Sequence, residues 1–113
     1  MPENPLANDV WQALDRLRRA LNDGYWDIAD QSQADRILAL AQDVDSIQDD
    51  MDRDEIMSNT AAYQQLKRRI DSVNAKLDRL KANLAQLITS VETVNRIVGC
   101  IDAATTLAAK FFV

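Results

Sequence analysis

The run from Tyr63 to Phe112 carries an almost unbroken heptad, and it limits what this chain can fold into more than any other feature. One seam position reads Tyr63, Ile70, Leu77, Leu84, Val91, Val98, Thr105, Phe112; the other reads Leu66, Val73, Leu80, Leu87, Val94, Ile101, Ala108. Spacing of three and four holds throughout, and Thr105 is the single polar residue among the fifteen. Such a stripe predicts a long helix, about 60–112, packed lengthwise against another helix. With two Gly and two Pro in the whole chain, and both prolines within the first five residues, little material remains for β-turns. The expected class is all-α.

A second stripe, Ile37, Leu40, Val44, Ile47, Met51, predicts a helix over about 32–57. Ser58-Asn59-Thr60 interrupts it with cap-forming residues, and the heptad phase changes there, as expected for a tight helical hairpin. If the chain folds back at this point, facing residues have numbers that sum to about 117. That rule pairs Met51 with Leu66, Ile47 with Ile70, Val44 with Val73, Leu40 with Leu77 and Ile37 with Leu80, apolar on both sides every time. Charge agrees with this register. Residues 1–59 hold fourteen acids against five arginines, and residues 60–113 hold eight bases against four acids. The acids of 43–55 then flank Lys67, Arg68, Arg69 and Lys76, each exposed pair adding only about 0–1 kcal/mol.

Upstream, Met1–Asn8 reads as a flexible leader, and residues 9–113 as a single helical domain. Asn8 or Asp9 can cap a short first helix over about 9–22, with Val10, Leu14, Leu17 and Leu21 as its stripe. Asn22-Asp23-Gly24 is expected to stop it, Gly24 taking a left-handed conformation. Tyr25, Trp26 and Ile28 are expected to plug the end of the core.

Beyond Leu80 the hairpin match fails, because Leu84 would face Gln33 and Leu87 would face Asp30. A straight helix over 60–112 would span roughly 80 Å, about twice the reach of its partner. Its second half is also the more apolar. Three covers are open: the first helix laid along it, a break near Gly99 that folds the last turns back, or a second polypeptide. The residues that would meet a partner are Leu84, Leu87, Ile88, Val91, Val94, Ile97, Val98, Ile101, Leu107, Phe111 and Phe112.

Chemistry is sparse. There is no histidine, phosphate-binding glycine loop, Cys pair or nucleophile elbow. Asp50-Met51-Asp52-Arg53-Asp54-Glu55 resembles the start of a calcium loop but has Glu55 and Ala61 where Gly and Glu are needed. Neither enzyme activity nor a metal or other cofactor is expected. A net charge of −5 argues against nucleic acid. Cys100 reads as a small core residue; with no second cysteine and no secretory signature, a cytoplasmic setting is expected. Small two-helix secreted proteins of the WXG type share the length and central turn, but Ser58-Asn59-Thr60 stands in place of their Trp-x-Gly.

The expected architecture is therefore an antiparallel helical hairpin with a short N-terminal helix, forming a small bundle. The expected function is a non-enzymatic protein-binding module of adaptor, immunity or chaperone type, self-associating or meeting a protein partner through its apolar C-terminal half. Two alternatives stand beside it: a membrane-docking or membrane-active protein using residues 97–113, and a structural coiled-coil segment of a larger assembly.

Overall fold

The computed structural model describes residues 5–52 and 61–111, and the chain there is four helices: α1 (Pro5–Tyr25), α2 (Gln31–Met51), α3 (Ala61–Leu87) and α4 (Val91–Phe111). Met1–Glu3, the Ser58-Asn59-Thr60 turn, Asp54, Glu55 and Phe112 lie outside the described residues. Among the described residues α1 packs on α2 and α4, and α3 packs on the same two helices, while the backbones of the diagonal pairs stand further apart. Short connections make successive neighbours antiparallel, so the fold is an up-down-up-down four-helix bundle. It measures 44 × 22 × 19 Å.

The predicted register of the hairpin is visible in its ion pairs. Arg69 pairs with Asp50 and donates to the Ser46 hydroxyl, while Lys76 Nζ lies 3.7 Å from Asp43. These contacts straddle the expected alignment, and Ile37, Leu40, Val44, Ile47, Leu66, Ile70, Val73 and Leu77 are all buried.

The helix predicted over 60–112 is two helices. The break falls at Ile88-Thr89-Ser90 rather than near Gly99, which sits inside α4 with open space around it. Ser90 caps α4, its Oγ accepting from the Thr93 amide at 3.3 Å, and Glu92 lies in the first turn, where the helix dipole favours an acid. The turn leaves the 3-4 spacing intact on paper yet shifts its phase. Past it the buried residues are Ile97, Ile101, Ala104 and Ala108, so Ala104 takes the place assigned to Thr105. The lone polar residue in the seam was the mark of this shift.

The first helix is longer than its stripe predicts. It starts at Pro5, tolerable in a first turn where the amide has no partner, and so takes Asn8 and Asp9 into its body. It continues through Gly24 to Tyr25. Gly24 serves close packing: a Cβ there would stand 2.7 Å from Ile97 Cδ1 and 3.4 Å from Ile88 Cδ1. Asp30 then caps α2, accepting from the amides of Ser32 and Gln33.

Spacing between helices follows side-chain size. Ala13, Ala20 and Gly24 on α1, Ala34 and Ala41 on α2, and Ala104 and Ala108 on α4 are buried, and α1 lies close along both neighbours. The buried residues of α3 are Tyr63, Leu66, Ile70, Val73, Leu77 and Leu84, all large, and α3 stands further from α2 and α4.

Candidate binding surfaces

The C-terminal apolar half is covered largely from within the chain. Leu84, Ile88, Ile97 and Ile101 are core residues, almost wholly buried. Leu87, Val94, Val98, Leu107 and Phe111 are half-buried against that core. Tyr63 seals the far end, its ring tilted against Phe111 at 6.2 Å and its hydroxyl donating to the Phe111 carbonyl. The cover is α1, bent back along α4 and held at its end by the Asp23–Arg96 ion pair. Of the ten described residues among the eleven expected to meet a partner, Val91 is the one that stands open, 71% exposed; Phe112 lies outside the described residues. None of the four helices is long and apolar enough to cross a membrane.

Val91 opens onto the pole where the α1–α2 and α3–α4 turns meet. The turns touch there, the Thr93 hydroxyl donating to Asp27 Oδ2 at 3.3 Å. Trp26 stands on this pole, 82% exposed, edge-on to Tyr25 with ring centroids 5.1 Å apart. Trp26 is thus no plug; Ile88 closes the core there, beside Gly24, and Ile28 packs at its edge. The Tyr25 hydroxyl accepts from Gln31 Nε2 at 3.2 Å, which steadies the aromatic pair. Asp27 and Asp30 belong to the same turn, Glu92 lies in the first turn of α4, and Asp23 is paired with Arg96. The Asp30 carboxyl is held below its ordinary range chiefly by the Ser32 hydroxyl and then by the backbone amides it caps.

A second feature lies on the opposite side of α2 from α1. Where α3 stands off from α2, a groove of about 330 Å³ runs between them. Leu40, Leu80 and Leu87 give it an apolar floor, Ala39 lies at its exposed edge, and Arg36, Arg79, Gln33 and Asn83 line it as well. Asp43 and Lys76, paired, line its other end.

On the α1–α2 side, the buried polar residue is Gln48. Its amide donates to the Trp11 carbonyl at 3.2 Å and to Asp15 Oδ1 at 3.4 Å, and its oxygen accepts from Arg18 Nε at 3.3 Å. Arg18 also binds Asp15 at 2.9 Å. The Asp15 carboxyl is kept below its usual range, first by the Arg18 hydrogen bond and also by Gln48 and Arg19.

Among the described residues no group of three or more metal-ligating side chains converges; in the acidic run, Asp50 is turned to Arg69. Cys100 is half-buried and free. Compared with known proteins, the chain matches no family, no curated protein and no solved structure.

The groove and the exposed tryptophan were beyond sequence reasoning. The groove arises from the contrast between small and large buried residues, a signal present in the seams but readable only once the helix neighbours are known. Trp26 looks like a plug because aromatic residues after a helix usually turn inward.

Proposed function

We propose that this protein is a non-enzymatic helical binding module that docks a polypeptide, another protein or a second copy of itself, on the pole formed by its two turns. The observation that carries this reading is Trp26: a fully apolar-bodied side chain, 82% exposed, beside Tyr25 and near Val91. Tryptophan and tyrosine supply large contact areas at low entropy cost and dominate the energetics of interfaces. Here they rise from an acidic rim, so the partner surface best suited to them is an apolar pocket ringed by basic residues. Most of the described residues first expected at the interface are buried or half-buried against the core, while the pole carries the two large apolar side chains that stand open. Adaptor, immunity and chaperone roles all fit such a surface.

The test compares wild type with the Trp26→Ser, Val91→Ser double variant, by co-purification from the native host and by sedimentation. Wild type is expected to carry a stoichiometric polypeptide or to sediment as a dimer, and the double variant to lose this with its melting temperature unchanged. A wild type that is monomeric and captures nothing, or a double variant that keeps the partner, would end the reading.

A further inference from the structure

The groove between α2 and α3 has a composition that core packing does not explain. Its floor is aliphatic, but its lining includes two arginines, Arg36 from α2 and Arg79 from α3. The chain as a whole carries 18 acids and 13 bases. Its neighbouring cations are used: Lys76 pairs with Asp43, and Lys81 with Asp102 at 2.6 Å. Among the described residues, neither Arg36 nor Arg79 has a carboxylate within ion-pair distance; Asp30 acts on Arg36 only at longer range. Two like charges lining one apolar trough are disfavoured as neighbours, and an anion held by both would offset that.

We propose that this groove binds a single-chain amphipathic anion, its head group held between Arg36 and Arg79 and its hydrocarbon laid over Leu40, Leu80 and Leu87. Size agrees. A groove of about 330 Å³ falls within the range of small-molecule sites, which commonly lie between the helices of bundles. The lining from Gln33 to Asp43 extends for roughly 15 Å along α2, at 1.5 Å per residue. Guanidinium suits the task, because its planar fork meets a carboxylate or phosphate with paired charge-assisted hydrogen bonds. The Gln33 and Asn83 amides lie at the same walls and can donate to the head group. The Asp43–Lys76 pair at the other end is already neutralised, so it offers no second anchor for an anion.

The site is distinct from the pole that carries Trp26. It would give the module a lipid-like ligand of its own, not an alternative way to dock a protein.

The experiment is an amide-shift titration of the full chain with decanoate, decyl phosphate, decanol and decyltrimethylammonium, each below its micelle concentration. Both anions are expected to shift residues 33–43 and 76–87 saturably, binding about tenfold tighter than decanol, while the cation has no effect. The tighter of the two anions identifies the head group as carboxylate or phosphate. Arg36→Gln with Arg79→Gln should bring the anions down to the affinity of decanol without moving the melting temperature, because both side chains are exposed. Trp26→Ser should leave the titration unchanged, so the groove and the docking pole can fail separately. No saturable shift, shifts that map elsewhere, or an anion preference that survives the double substitution would overturn the proposal.

Discussion

The first and third helices occupy opposite corners of the same bundle and are built by opposite rules. α1 presents a seam of alternating large and small residues, with Val10, Leu14, Leu17 and Leu21 interleaved with Ala13, Ala20 and Gly24. α3 presents large residues only, from Tyr63 to Leu84. Both rules bury apolar surface, but the first brings backbones together and fills the space between them. The second holds α3 away and leaves its outer flank with α2 open. A bundle of one sequence thus has a tight side, which supplies stability, and a loose side, which supplies a groove.

This contrast can be broken by experiment. The largest effect is expected from deleting the same atoms on the two sides. Leu17→Ala, at a fully buried position, should cost about 3–5 kcal/mol, the transfer term plus a cavity. Leu80→Ala, on the groove floor and half-open, should cost about 1 kcal/mol. Urea midpoints would show it, and equal losses would mean that the two sides are packed alike. Next in size is overpacking. Ala20→Leu should cost about 1–3 kcal/mol or more, because α1 has no space to give. Ala39→Leu, at the exposed edge of the groove, should stay within about 0.5 kcal/mol.

The smallest effect concerns acid. In the native state the Asp15 carboxyl has its pKa held down, first by Arg18. A depressed folded value means that its stabilisation is present above the unfolded value of about 3.9 and is lost as pH falls through the folded one. Asp15→Asn should therefore flatten the fall in stability as the pH drops below about 4. An unaltered acid slope would remove Asp15 from the account.

Much of this molecule is legible in its residues, and the limits have physical causes. The hairpin register is readable because α2 and α3 have strict apolar seams and complementary charges. The Ile88–Ser90 turn is not, because it lacks Gly and Pro and preserves the spacing of Leu84, Val91 and Val98. Heptad counting passes through it. What marks it is Ser90 with Glu92 behind it, a weak cap signal, and the polar Thr105 downstream. The apolar excess of the C-terminal half was correctly read as needing a cover. That α1 is the cover depends on its extension to Tyr25 and on the close approach at Gly24, neither visible in one helix alone. Among the surface features, neither the exposure of Trp26 nor the meeting of Arg36 and Arg79 at one groove was legible, since a face becomes a groove only through its neighbour.

The buried amide of Gln48 has a further consequence, which concerns ambiguity. The α1 seam nearly repeats at seven residues: Val10 with Leu17, Ala13 with Ala20, Leu14 with Leu21. Sliding α1 by two turns along α2 would therefore keep apolar against apolar, and hydrophobic burial alone barely distinguishes the two alignments. The slide would carry Asp15 and Arg18 away and leave Gln48 facing Asn8 and Trp11, or Asn22 and Tyr25, according to direction. Hydrogen bonds to charged groups contribute about 1.5–3 kcal/mol, more than a neutral amide facing Gln48 would return. Gln48 thus acts as an index mark on an otherwise repetitive scale, selecting one alignment from those that packing would nearly accept.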